Sequence, residues 1–192
     1  MTIEGRTHPL PRPFHVMATA NPVETEGTYP LPEAQLDRFL LRLQFGYPAE
    51  SDEWEILSRR IARRSDDIAV ERVLDAASLS AVQRAAEDVF VHPAVGRYAV
   101  AVTASTRADS SALVGASPRG SLALVTCGRA RALIDGRDFV APEDIKALAP
   151  SALAHRITIR PELWLSGVSG EDVVKGALDA VPVPTEYTRE HR

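Results

Sequence analysis

The spacing of apolar positions changes once along this chain, near the Tyr47-Pro48-Ala49 turn. Before it, Phe14-His15-Val16-Met17-Ala18-Thr19-Ala20 is a nearly continuous apolar run closed by Asn21-Pro22, the pattern of a strand buried on both faces of a parallel sheet. Leu41, Leu43 and Phe45 alternate with Arg42 and Gln44, which predicts a second strand with one wetter face, ended by Gly46-Tyr47-Pro48. Between the two, Pro32-Glu33-Ala34-Gln35-Leu36-Asp37 places Pro at a helix start and acids in its first turn, so a short helix is expected there. The Pro-punctuated stretch before Phe14 reads as an edge or connector, with a short extended segment around Thr2 to Glu4.

From Ser51 onward the period is helical. Ser51, Asp52 and Glu53 suit the start of a helix whose end carries Arg59, Arg60, Arg63 and Arg64, in the sense that complements the macrodipole. Leu79, Val82, Ala86, Val89 and Phe90 form one stripe, and Val95, Tyr98, Ala99 and Val102 another. Ser117-Pro118 predicts a capped start for a helix running to Ile134, whose apolar residues are spread around its circumference and predict a central, largely buried position. Pro142 opens a helix with Ile145, Leu148, Ala149, Ala152 and Leu153 on one face and Pro150 as a break or kink. Ser169 and Asp172 have capping-box spacing ahead of a last helix, which Pro182 and Pro184 stop. A strand-helix-strand unit therefore precedes an all-helical domain. Two strands and one short helix cannot cover both faces of a parallel sheet, so further partner surface is expected for that unit.

Composition narrows the function classes. The 192 residues are 45% hydrophobic and 25% charged, the range of soluble globular chains. The single Cys127 allows no intrachain disulfide and, with no apolar leader near Met1, points to a cytoplasmic setting. No run approaches the roughly 18 apolar residues of a membrane span. A net charge of −4 offers no general attraction to nucleic acid. Lys occurs only at Lys146 and Lys175, so Arg is the default cation here and its mere presence carries little chemical information.

The phosphate-cradling loop G-x-x-x-x-G-K-[ST] does not occur; Gly115 to Gly120 followed by Ser121 is the nearest approach and has no Lys. No apolar strand ends in paired acids that could hold Mg2+, since Glu87-Asp88 lies inside a helical pattern. The five His residues and Cys127 lack metal-ligand spacing. Gly115-Ala116-Ser117-Pro118 begins like a nucleophile elbow but continues with Arg119 in place of Gly.

Three polar residues stand out. Asn21 directly follows the predicted buried strand, where its amide would sit at the carboxyl edge of a sheet within reach of a phosphate or its attacking water; Asn-Pro equally suits the start of a turn. Arg38, in Leu36-Asp37-Arg38-Phe39, is hemmed by apolar residues on a rigid element and could enter a neighbour's active site, or could pair with Asp37 or a nearby Glu. Arg119 is the second residue of its helix, where a cation opposes the macrodipole at a cost of about 0.3–1 kcal/mol. A bound phosphate would reverse that sign; a solvated side chain is the plainer reading.

The stretch Ala18-Thr19-Ala20-Asn21-Pro22-Val23-Glu24-Thr25-Glu26-Gly27-Thr28-Tyr29-Pro30-Leu31-Pro32-Glu33-Ala34-Gln35-Leu36-Asp37-Arg38-Phe39 resembles the central signature of MoxR-type AAA+ ATPases. Gly115-Ala116-Ser117-Pro118-Arg119, Gly136-Arg137-Asp138-Phe139-Val140 and Leu148-Ala149-Pro150 resemble the helical lid of that family. The resemblance implies an α/β remnant of a P-loop AAA+ core over residues 1–48, an all-α lid over 49–182 and a tail over 183–192. It implies sensor 1 at Asn21, an arginine finger offered to the adjacent subunit at Arg38, and sensor 2 at Arg119. The segment from Thr2 to Phe14 resembles the returning arm of a hairpin that in relatives faces a ring pore.

ATP and Mg2+ are then the implied cofactors and a homo-oligomer, a hexameric ring, the implied assembly. It would remodel or mature client proteins, often with von Willebrand A domain partners. The Walker A and Walker B segments of the family do not occur. The expectation is an amino-terminally truncated reading frame, with Met1 an internal position and the 192 residues by themselves inactive towards ATP. A magnesium-chelatase-like ATPase subunit and a non-enzymatic helical adaptor that binds such rings are the competing readings.

Overall fold

The computed structural model describes residues 2–20 and 32–187. It opens with a hairpin, β1 (Thr2–Ile3) antiparallel to β2 (Arg6–Thr7). Its two-residue turn places both Glu4 and Gly5 at positive φ (49° and 79°), the sense of twist that joins such strands tightly. The predicted strands at Phe14–Ala20 and Phe39–Phe45 form no ladder with any described residue, and Met17 and Phe45 are almost fully exposed. A strand is held by the ladder of a neighbouring strand, and no described strand pairs with either of these two.

The short helix α1 (Glu33–Leu36) forms where expected. Helix α2 (Glu50–Arg63) starts from Ala49, which offers no side-chain cap; Ser51 lies inside the helix and does not cap it. The helix buries none of its residues, leaving Trp54, Leu57 and Ile61 on its surface.

The core belongs to the helices that follow. These are α3 (Ala76–Glu87), capped by Asp75, then α4 (Pro93–Ala108), α5 (Pro118–Ile134), α6 (Pro142–Leu153) and α7 (Gly170–Ala180). Val95, Tyr98, Ala99 and Val102 of α4 are buried as their stripe predicts. They meet Leu124 of α5, Ile145 and Leu153 of α6 and Val174 of α7 in one cluster. Helix α5 packs on α3, α4 and α6 and so is central, but it is not buried all round. Its inner face is mostly small (Gly120, Ala123, Cys127, Gly128 and Ala132 beside Leu124), while Leu122 and Ile134 face outward.

Helix α6 runs through Pro150 to Leu153 and tightens into a 3-10 turn, Ala154–Arg156. The capping box at Ser169 and Asp172 forms, with Asp172 accepting from Ser169 N at 2.9 Å. An element not read from the sequence is β3 (Ala112–Val114) paired antiparallel with β4 (Thr158–Ile159), which ties the loop before α5 to the chain after α6.

An ion pair on a buried carboxylate fixes the α5–α6 corner. Asp144, 3% exposed at its side chain, takes both Arg137 Nη atoms at 2.7 and 2.8 Å. The same carboxylate accepts from Ala141 N at 2.8 Å. Phe90 N donates to Asp138 O and Val140 N to Phe90 O, so the Arg137 loop is stitched to the end of α3.

Candidate functional site

The amino-terminus of α5 is set by its surroundings. Gly115 lies so close to α4 that a Cβ there would stand 2.6 Å from the Arg107 backbone. Thr106 Oγ1 accepts from Ala116 N at 3.0 Å and Arg107 Nε donates to Ala116 O at 2.7 Å, so α4 latches the loop. Ser117 then caps the helix from Arg119 N at 3.3 Å. Gly120 lets the first turn meet α6, because a Cβ there would be 2.6 Å from Leu153 Cδ2. Arg119 is thereby fixed at the surface with its side chain half exposed.

The Leu36-Asp37-Arg38-Phe39 turn docks against this point. Ser117 Oγ donates to Asp37 at 3.0 Å, and Arg119 Nη1 lies 3.7 Å from Asp37 Oδ2. The dominant contact is Arg156, whose side chain is 2% exposed. Its Nη1 donates to Asp37 Oδ1 at 2.8 Å and to Asp37 O, its Nη2 to Phe39 O at 2.7 Å, and its Nε to Ala152 O at 2.7 Å. His155 Nε2 lies 3.2 Å from Phe39 O, and Arg42 N donates to Ser151 O at 2.9 Å.

Burial works to raise the Asp37 carboxyl, but bonds from Arg156 and Ser117 and the charges of Arg156 and Arg119 outweigh it and hold it below its ordinary value. Burial pushes His155 down, against the Phe39 carbonyl, so the imidazole is held neutral.

Arg38 does not pair with Asp37, which is turned to the other two guanidinium groups. Arg38 is exposed and makes no ion pair with any described residue. It lines a cleft of about 320 Å³ together with Asp37, Leu40, Arg119, Leu122 and Arg156. Two of the three residues singled out from the sequence, Arg38 and Arg119, thus share one cleft, while Asn21 lies outside the described residues. Such a cleft can accept an anion: two exposed arginines line it and the α5 amino-terminus adds its partial positive charge.

Asp37 and Arg156, which join these arginines, were not among the sequence candidates. The only signal for Asp37 was its place beside Arg38, and Arg156 is masked by the abundance of Arg in this chain. Among the described residues no group of three or more His, Cys, Asp or Glu side chains could hold a metal ion. No helix among them is long and apolar enough to cross a membrane.

Comparison with known proteins agrees with this architecture. Residues 104–176 match the AAA lid domain, and residues 1–41 match the ATPase family associated with various cellular activities (AAA). The chain is 43% identical over 187 residues to the uncharacterized protein YeaC of Bacillus subtilis, covering 97% of this chain and 58% of that one. It is 39% identical over 193 residues to the chaperone MoxR1 of Mycobacterium tuberculosis, covering 96% and 50%. The crystal structure of a candidate ATPase from Cytophaga hutchinsonii superposes with a TM-score of 0.87 at 34% identity, covering 96% of this chain and 58% of that one. The chain thus spans 50–58% of the length of these relatives and holds part of an AAA+ core followed by the helical lid. On these grounds it belongs to the MoxR family of AAA+ ATPases.

Proposed function

We propose that the protein works in an ATP-driven homo-oligomeric ring, a hexamer, that remodels or matures client proteins in the cytoplasm, with von Willebrand A domain proteins among its partners. Residues 1–48 form the core part, 49–182 the lid and 183–192 a tail. The observation that carries this reading is the shared cleft: Arg38, without an ion pair to any described residue, opens onto the same space as Arg119. Arg38 then serves as the arginine finger and Arg119 as sensor 2. A guanidinium brought to a transferred γ-phosphoryl neutralises the charge that develops on its oxygens. Because both side chains line one cleft, they act on the same nucleotide, the one bound by the adjacent subunit. Asn21 is assigned as sensor 1 and orients the attacking water at its own subunit's phosphate.

Among the described residues no group of three or more His, Cys, Asp or Glu side chains could hold the Mg2+ that accompanies ATP. The chain's sequence contains no G-x-x-x-x-G-K-[ST] loop. By itself it is therefore assigned no hydrolytic activity; it contributes the finger and lid half of a shared site. The test is steady-state ATP hydrolysis by the 192-residue chain, alone and mixed with a form of the protein that carries the phosphate-binding loop. Silence alone and altered turnover on mixing are expected. Activity of the purified chain alone would overturn the reading. Binding to rings with no effect of Arg38→Ala would leave a non-enzymatic adaptor.

A further inference from the structure

We propose that Asp37 and Arg156 are positioning residues that register the Arg38 turn against the α5 amino-terminus, so that their ion pair sets the direction of Arg38 in the cleft. The inference rests on the finger and sensor roles given above. Helix α1 has four residues, too short to hold the turn by its own hydrogen bonds. The turn's order is supplied from outside. Arg156 spends its buried guanidinium on it, bonding Asp37 O, Asp37 Oδ1 and Phe39 O while Nε is anchored on Ala152 O of α6.

A buried cation is costly unless its donors are matched, and here they are matched to the backbone on both sides of Arg38. On the opposite edge, Asp37 takes Ser117 Oγ at 3.0 Å and faces Arg119 at 3.7 Å. The two guanidinium partners of Asp37 therefore differ in kind. Arg156 is buried and hydrogen-bonded, a fixed anchor; Arg119 is half exposed and beyond hydrogen-bond distance, free to exchange Asp37 for a phosphate oxygen. Any tilt of the lid is passed through Arg156 to the direction of Arg38.

The experiment is steady-state ATP hydrolysis by the protein assembled with its phosphate-binding loop, comparing Asp37→Ala, Asp37→Asn, Arg38→Ala and the double variant D37A/R38A. Asp37→Ala should lower kcat by about 10- to 100-fold, the cost of misplacing a catalytic group by about an ångström. KM for ATP should move less than about threefold, as expected when only transition-state contact is lost. Asp37→Asn, whose amide oxygen still accepts from Arg156, should recover most of kcat. In the Arg38→Ala background, Asp37→Ala should add nothing, because it acts through Arg38.

If Asp37→Ala does not fold, Arg156→Lys serves in its place: one ammonium cannot span Asp37, Phe39 O and Ala152 O, so the same loss in kcat alone is expected. Full activity of Asp37→Ala beside a crippled Arg38→Ala, or losses that multiply in the double variant, would overturn the positioning role alone. A harmless Arg38→Ala would remove the finger reading and this role with it.

Discussion

Replacing Arg137 by Met tests the electrostatic account of the lid without reference to nucleotide. The Asp144 carboxylate is 3% exposed and holds Arg137 through two parallel bonds of 2.7 and 2.8 Å. With Arg137 gone it keeps Ala141 N at 2.8 Å and Arg131 Nε at 3.4 Å, the latter on a side chain 46% exposed. Removing one partner of a buried pair costs about 3–5 kcal/mol, and the two surviving contacts argue for the lower end, about 3 kcal/mol. For a folding unit of roughly 100 residues this lowers Tm by about 10–20 °C.

The bond to Asp144 holds the Arg137 guanidinium above its already high ordinary pKa, although burial opposes it. A raised value stabilises the fold at every pH below the unfolded one, so the loss should not depend on pH in the working range. Thermal unfolding followed by circular dichroism at 222 nm reads it. Adding Asp144→Asn should recover most of the loss, because the amide still accepts from Ala141 N while the buried charge is gone. A loss under about 1 kcal/mol for Arg137→Met, or no recovery in the double variant, would mean that the Asp144 carboxylate does not depend on Arg137 for its burial.

Four further outcomes are expected. Arg38→Ala in assembled rings should lower turnover by about 10³-fold or more while nucleotide still binds, measured by steady-state hydrolysis beside equilibrium binding. Asn21→Ala should lower turnover with binding and melting temperature intact; a collapsed melting temperature would instead assign Asn21 to the turn. Gly120→Ala places a methyl 2.6 Å from Leu153 Cδ2, so it should destabilise by about 1–3 kcal/mol and be partly relieved by Leu153→Val. Acid should undock the Arg38 turn in two stages. Both His155 and Asp37 have lowered values in the folded chain, so each stabilises docking above its unfolded value and loses that as pH falls through the folded one. Amide protection over residues 36–42, taken relative to the intrinsic exchange rate at each pH, should fall first below pH 6.5 and again below 3.8, and His155→Gln should remove only the first step.

The helical half was legible where the code is local. Ser117-Pro118 and Ser169 with Asp172 announce helix starts because capping is settled within one turn of chain, and α5 and α7 begin there. Periodicity likewise identified the buried face of α4. For α5, apolar residues on all sides predicted a central, largely buried helix; it is central, but close packing on three helices buries one face, mostly of small residues with Leu124, and turns Leu122 and Ile134 outward. Ser51 had every local credential of a cap, yet the helix begins a residue earlier.

The helices, the family through its long unbroken signature, and the two cations that the cleft brings together were legible in the sequence; the strand pairs were not. Only the tertiary structure decided what Asp37 does. Asp37 was adjacent to Arg38 and open to pair with it, but Arg156, 119 residues further along, takes that carboxylate into a buried clamp and leaves Arg38 exposed at the cleft. Neither the burial of one Arg among many nor a contact of that sequence separation has a local signature. Both arise from how α5 and α6 pack, because only a guanidinium whose donors are matched by backbone carbonyls and a carboxylate can stay inside.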